Sequence, residues 1–581
     1  MPTDPEVPHS AHSACTAASV ITLPSLPARA SQQHQQLWSD MLVHAKTIRD
    51  LKSRWNALAM ISRLPDEVLA SAFLELNLFF RNDQLQWRSI DRYRWITVCQ
   101  VCSHWRTVAL NTPRLWSDIT VTRSLNWMRE MLARSHKAPL RVRIALTSLV
   151  DGMGEPARLV LRELGRMEDL VIGVSADALE ILHALDAPAP LLRSLNIEGV
   201  RQRTSRQPGG ERQIPPPQVL ARPTTAQLEQ LDLLHCKFPW NLPVPFTSLT
   251  HLKVVGTGAD RPSIAHVIMT LASFKLLEFL DLEGMLPTLP EDAVALPKPP
   301  IIVTFSRLKR LRFVGETMNC ANLLNRLFLP SSASIILECT SKRGVAELAA
   351  CLRARTPAMD QPRMLMLEED FSGSTFYVRA SPRDGPVRAG DPSSLVVTFK
   401  HSPDGPAPSS LSRHAIPFCL HLALENVDCV CTAGLVPPSF DEEQTKEWAA
   451  LFIRMCNLTE LSLSGLATYR LPDALVAKRW DGVEGLCLPT LRCVTVEDVT
   501  FGLPETFKQG LPGQFTKQLV HTLDERAREA PRLECLRIKR SKYIDLPDVR
   551  MLEKVVGKVE WDGIVDAEPD REEYEYDLNY Y

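Results

Sequence analysis

"LEQLDL", residues 228–233, is followed by "LTHLKV" at 249–254, "LEFLDL" at 277–282 and "LKRLRF" at 308–313. Each is one phrase: Leu, two variable residues, an apolar residue, one variable residue, another apolar residue. Alternation at the end of the phrase fits a half-buried strand. The same phrase occurs earlier as "MEDLVI" at 167 and "LRSLNI" at 192. It returns later as "CLHLAL" at 419, "LTELSL" at 458, "LRCVTV" at 491 and "LECLRI" at 533. Intervals of 21–36 residues in the first half suit a strand, a turn and one helix. Stacked copies of such a unit bury a continuous core, which an isolated unit cannot do. The expected fold class is therefore α/β, with a leucine-rich-repeat-like solenoid over 118–561 that carries a curved, mainly parallel sheet.

Two stretches, 201–218 and 381–410, read as loops inserted between repeats, with "SLVVTF" at 394 as a strand inside the second. Residues 340–418 resist phasing. The strand-like "LWSDITV" and "PLRVRIAL" flank the helical "SLNWMREMLARSH" near the start of the array.

Composition excludes several classes. Lys plus Arg number 66 and Asp plus Glu 68, for a net charge of −2. That balance attracts neither nucleic acid nor anionic lipid. The 44 prolines are scattered and mark turns. The apolar run near the start is broken by Pro24 and Pro27, so a secretory leader is not expected. No apolar stretch reaches the ~20 residues that span a bilayer. The 14 cysteines show no repeated spacing. They read as reduced thiols of a cytoplasmic or nuclear, not secreted, protein.

Ahead of the repeats the texture is helical. Residues 1–32 read as a disordered tail and 33–60 as an amphipathic helix. Met41, Ile48 and Trp55 lie seven apart, and Leu51 and Leu58 form a second row. A coiled-coil dimer is one reading, but only about three heptads are present and His44 sits in the seam. A helix docked on its own domain is the expected one. Over 61–117, "RLPDEVLASAF" and "VCQVCSHWRTVALNTPRLW" form two amphipathic segments joined by the polar "RNDQLQWRSIDRYR". Pro65 suits the first turn of a helix, and Asp66 and Glu67 suit its positive end. Val68, Leu69, Ala72, Phe73 and Leu76 read as one stripe; Val98, Val101, Cys102, Trp105, Val108 and Ala109 read as another. The acidic, tyrosine-rich end at 562–581 reads as an untethered tail.

No phosphate-binding, nucleophile-elbow or zinc-protease motif occurs, and no nucleophile, base and orienting group can be tied together. The chain is not expected to be an enzyme, to bind a metal or to hold a cofactor. Cys99 and Cys102 lack a second ligand pair and are expected to pack as small apolar groups in one helix.

The pair of helical segments resembles the F-box. Leu64, Pro65, Glu67, Val68 and Leu69 match its Leu-Pro-x-Glu-aliphatic-Leu. Val101, Cys102, Trp105 and Arg106 match its Val-Cys-x-x-Trp-Arg. The continuation "VALNTPRLW" and "MLARSHKAPLRVRI" resembles the large fungal, mushroom-type group of F-box proteins with irregular leucine-rich repeats. The resemblance implies a Skp-type adaptor and, through it, a cullin ubiquitin ligase, with the repeats holding an unknown protein substrate. Adaptor-binding residues implied are Leu64, Pro65, Val68, Leu69, Val98, Val101, Cys102 and Trp105. A leucine-rich-repeat scaffold not coupled to ubiquitination is the other reading.

Overall fold

Alternation turns into a ladder. In the computed structural model, strands form wherever the repeated phrase ends in its apolar-x-apolar triplet, with one exception. The structure describes residues 28–564 apart from 83–90, 147–151, 176–179, 183–184, 186, 200–219, 221–226, 242–245, 257–260, 291–292, 294, 342, 356–361, 370–374, 382–393, 401–415, 417, 434–449, 466–471, 473–474, 476–478, 481–482, 485–487 and 503–512. The expected loop at 201–218, the loop residues of 381–410 and nearly all of the tail at 562–581 therefore lie outside the described residues. So do residues 1–27 of the expected N-terminal tail, whereas a helix already runs from Ala28.

The chain divides into two compact units, 1–115 and 116–581. In the second, the strands are β1 (Asp118–Thr120), β2 (Leu140–Leu146), β3 (Met167–Val174), β4 (Ser194–Gly199), β5 (Gln230–Leu234), β6 (His251–Val255), β7 (Phe279–Glu283), β8 (Val303–Thr304), β9 (Arg310–Gly315), β10 (Leu327–Phe328) and β11 (Ser334–Cys339). They continue as β12 (Met364–Glu369), β13 (Thr375–Ser381), β14 (Leu395–Lys400), β15 (Cys429–Ala433), β16 (Glu460–Ser464), β17 (Arg479–Trp480), β18 (Val483–Glu484), β19 (Cys493–Glu497), β20 (Cys535–Lys539) and β21 (Val559–Trp561). Seventeen of them form one sheet; β8 pairs with β10 and β17 with β18.

The main sheet is parallel in chain order from β1 to β7 and on through β9 to β11. There the order reverses. β11 pairs with β14, β14 with β13, β13 with β12, and β12 with β15. β13 is antiparallel to both its neighbours, so a three-stranded meander sits backwards inside the solenoid. Parallel order then resumes through β15, β16, β19, β20 and β21. This is why 340–418 resisted phasing: its strands alternate apolar residues but carry no leading-Leu phrase and pair out of chain order.

The register keeps the core continuous across the reversal. Leu170, Leu195, Leu231, Leu252, Leu280, Leu311 and Ile335 face one another in turn. The row passes through Leu395, Ala380, Leu365 and Val430 to Leu461, Val494 and Leu536. Every member is at most 2% exposed. A second row, two residues on, includes Ile172, Leu233, Leu282, Phe313, Leu337, Val397, Val378, Leu367, Leu463 and Ile538. Its one polar member in this run is Thr432, opposite Leu367 and Leu463. Burying a Leu or Val side chain contributes about 1.5–3 kcal/mol, so these rows dominate the stability of the solenoid.

"CLHLAL" is the exception. Residues 418–420 are helical and 421–424 are turn and irregular chain. Cys419, Leu422 and Leu424 are buried as the phrase requires, but the strand comes later, at β15. There Val427 and Val430 keep the spacing and Thr432 takes the last apolar place.

The return paths are less regular than one helix per repeat. Helices α5 (Leu125–Ser135), α6 (Gly154–Leu161), α7 (Ile264–Ser273), α8 (Thr317–Leu324) and α9 (Val345–Arg355) are followed by Gln514–Arg526 and Leu546–Leu552. Among the described residues no α-helix lies between β3 and β6. Capping follows side-chain chemistry: Ser124 and Ser263 accept bonds at the starts of α5 and α7. Asp545 and Asp548 form a capping box on Leu546–Leu552.

The first unit is helical: α1 (Ala28–Ala57), α2 (Asp66–Asn82), α3 (Val98–Val101) and α4 (Ser103–Leu110), with 3-10 turns at Met60–Arg63 and Asp91–Thr97. Its core comprises Leu69, Phe73, Trp95, Val98, Cys99, Val108, Ala109 and Leu115. Trp95 directly follows the polar stretch at 81–94 expected to be a loop. Asn77 Nδ2 reaches the Leu115 carbonyl at 3.5 Å, giving one buried amide a partner. The expected docking of the first helix on its own domain is not found. Leu37, Met41, Ile48, Leu51 and Trp55 are all more than half exposed. Amphipathic spacing specifies a face, not what covers it.

Candidate functional site

α2 begins one residue later than the sequence pattern places it. The Pro65 carbonyl accepts from Val68 N at 3.0 Å and Leu69 N at 3.1 Å, which puts Pro65 at the cap and Asp66 at the first helical position. Asp66 and Glu67 then occupy the first turn. From there, helical geometry separates the expected stripe into two faces. Leu69 and Phe73 are buried, and Leu76 is half-buried. Val68, Ala72, Glu75 and Phe79 recur at four, three and four residues and are all exposed. Leu64, four residues before Val68, precedes this face and is 40% exposed; Phe79 at its far end is 72% exposed.

The second segment is not one helix. Cys102 has extended backbone and ends α3, and its Sγ accepts from Trp105 N at 3.4 Å to cap α4. A helix broken here does not carry Val98, Val101, Cys102 and Trp105 on one stripe. Val98 and Cys99 are buried, Val101 is 58% exposed, and Cys102 and Trp105 are half-buried. The Trp105 ring packs on Phe73, centroids 5.1 Å apart. His104 Nε2 lies 3.5 Å from Asp66 Oδ1, linking α4 to the start of α2.

Of the eight residues expected to dock a partner, Leu64, Pro65, Val68 and Val101 are therefore exposed. Leu69 and Val98 belong to the core; Cys102 and Trp105 lie between. Sequence reading missed Met60, Ile61, Leu78 and Phe79, which add exposed apolar surface. Phe79 was within reach, since it continues the Leu64–Val68 face at helical spacing. An exposed apolar helix face is the kind of surface that seats in an apolar groove of a partner.

The sheet of the second unit offers a different surface. Residues alternating with the buried rows point to its other face, and many are charged. Arg312 lies 3.0 Å from Asp281 and from Glu283, and 2.7 Å from Glu338. Lys400 reaches Glu338 at 2.6 Å, and Lys253 lies 3.8 Å from Asp281. Burial opposes the charge on Arg312, but Asp281 and Glu338 outweigh it and hold its pKa above the ordinary arginine value. Burial likewise pushes the Asp281 carboxyl up against the pull of Arg312 and Lys253. Glu338 differs: burial works against its charge, yet Lys400 and Arg312 together hold it below the ordinary range. Farther along, Arg537 pairs with Glu560 at 3.1 Å, and Arg540 with Glu497 and Asp498 at 3.0 and 3.1 Å. Between these charged groups the face turns small: Cys431, Ser462 and Thr495 are neighbours in register.

Among the described residues no three His, Cys, Asp or Glu side chains are grouped to hold a metal. The described cysteines are free thiols. Burial raises Cys236 to about 12 and Cys351 and Cys493 to about 11, which keeps them protonated and weakly nucleophilic at neutral pH. Among the described residues no helix is long and apolar enough to cross a membrane.

No protein-family model and no curated protein matches the chain. Among solved structures it is similar to the leucine-rich repeat-containing protein LegL7 from Legionella pneumophila. The match has 12% identity, covers 68% of this chain and 94% of that one, and has a TM-score of 0.21.

Proposed function

We propose that the chain is the substrate-recognition subunit of a Skp-cullin-F-box ubiquitin ligase. In this reading the helical unit is an F-box that docks a Skp-type adaptor, and the adaptor links it to a cullin. The polar face of the solenoid sheet holds an unknown protein substrate. The chain performs no catalytic step itself and works in the cytoplasm or nucleus.

The observation that carries the reading is the exposure of Leu64, Pro65 and Val68 at the start of α2. These are the motif residues that a self-contained helical unit has no need to place in water. Leu69, Val98 and Trp105 are accounted for by packing inside the unit, so the docking role rests on Leu64, Pro65 and Val68, with Val101. The charge-paired sheet face supports the second half of the reading. Its side chains are fixed by their neighbours and can present a stable pattern to a protein surface.

Replacing Leu64 and Pro65 together by alanine tests it. The expected outcome is loss of capture of a purified Skp-type adaptor, with thermal unfolding unchanged. Truncating a central apolar anchor of an interface costs about 2–5 kcal/mol of binding, enough to abolish recovery in a pull-down. Undiminished capture by the double variant overturns the assignment of this surface. Adaptor recovered without a cullin, or neither recovered, favours the second reading: a leucine-rich-repeat scaffold not coupled to ubiquitination. The exposed apolar face fits that reading equally, since a scaffold also needs a docking point.

A further inference from the structure

The seam of α1 stands in water, and its own sequence describes what fits it. Leu37, Met41, Ile48, Leu51 and Trp55 are 52–79% exposed. They fall at the inner positions of a heptad, with His44 completing the set. That spacing is the seam of a coiled coil, and Trp38, Leu42 and Val43 beside it are exposed as well.

The charges decide the orientation. Parallel pairing of two α1 helices sets Asp40 beside Ala45 and Thr47 beside Lys52 of the other helix and leaves Arg54 facing the helix end, which stops at Ala57, with no complementary pair. It also stacks His44 on His44 and Trp55 on Trp55. Antiparallel pairing produces the layers Leu37/Trp55, Met41/Leu51 and His44/Ile48, each made twice. It brings Asp40 beside Arg54 twice, and Trp38 beside Lys52 twice, where the ammonium can lie over the indole. Large residues then oppose smaller ones, the outer flanking pairs are favourable, and at the centre Ala45 and Thr47 each meet their own copy without opposing charge.

We propose that α1 pairs with the α1 of a second copy of this chain as an antiparallel coiled coil. The C-terminal ends of the two α1 helices then lie at opposite ends of the pair. This stands independently of the proposed ligase role, because none of its residues belongs to the α2 face.

Sedimentation of the full chain over about 1–100 µM tests it. The expected result is a reversible dimer. Met41→Glu with Leu51→Glu, both at exposed positions, returns the chain to a monomer without altering its melting. Asp40→Arg alone and Arg54→Asp alone each set like charges side by side twice and weaken the dimer about tenfold. The two together restore it to within about threefold of the parent, because the pair is re-formed with its signs exchanged. A parent chain that stays monomeric at 100 µM overturns the proposal. So does a dimer indifferent to the Met41 and Leu51 changes, or a charge exchange that fails to restore pairing.

Discussion

Val68 and Leu280 are both aliphatic residues at regular positions of an amphipathic element, yet Val68 is 47% exposed and Leu280 1%. The difference lies in what completes each element. Leu280 sits between Leu252 and Leu311 in a row that its neighbouring strands supply. Val68 lies on the far side of a helix whose inner face, Leu69 and Phe73, already fills the small core of its unit. The solenoid answers the apolar positions of its strand rows internally by repetition. The helical unit has more apolar positions than its core can hold, and leaves the excess outside. In α1 the excess is the whole seam.

The largest expected effect sharpens this contrast. Leu280→Ala removes buried volume from a row with no slack and should lower unfolding stability by about 2–5 kcal/mol, read by urea denaturation. Val68→Ala should stay within about 0.5 kcal/mol. Equal losses at the two sites would break the comparison. A smaller effect of opposite sign is expected at Thr432, which is 3% exposed with no hydrogen-bond partner for its Oγ1 among the described residues. Thr432→Val restores an apolar side chain to the row and should stabilise by about 1 kcal/mol. A loss of stability there would show that the hydroxyl is satisfied in solution.

The smallest effect concerns acid. Glu338 has a folded pKa below its ordinary value of 4.5, so its ionisation favours the folded state. That contribution is full above pH 4.5 and fades as pH falls through the lowered folded value. Glu338→Gln lacks it. The stability gap between parent and variant should be greatest near neutrality and should close in acid. A gap that widens as pH falls would reverse the assigned sign.

The solenoid was legible because a strand repeats every second residue and the leading Leu marks each return. Nine of the ten phrases became strands on that basis. What could not be read was pairing. The order β11, β14, β13, β12, β15 pairs strands out of chain order, and an antiparallel strand alternates just as a parallel one does. "CLHLAL" misled because a helix end and turn can bury the same spacing. In the helical unit, Leu64 and Pro65 were readable as a surface since they precede the buried stripe; the exposure of Val68 was not, because its spacing places it on the stripe with Leu69. The break at Cys102 was not, because a thiol that caps the next helix leaves no trace in apolar periodicity. Nor was the burial of Trp95, a single large side chain just past the polar stretch that ends at Arg94.

The most direct test of the account compares Val68→Asp and Leu280→Asp in the full chain, each scored for thermal unfolding and for capture of a Skp-type adaptor. Val68→Asp should melt like the parent and lose the adaptor. Leu280→Asp should lose the cooperative melting of the solenoid, because an unpaired carboxylate cannot be held in the row, while the separate helical unit keeps its capture. A Val68→Asp chain that unfolds as Leu280→Asp does, or that captures the adaptor as the parent does, would contradict it.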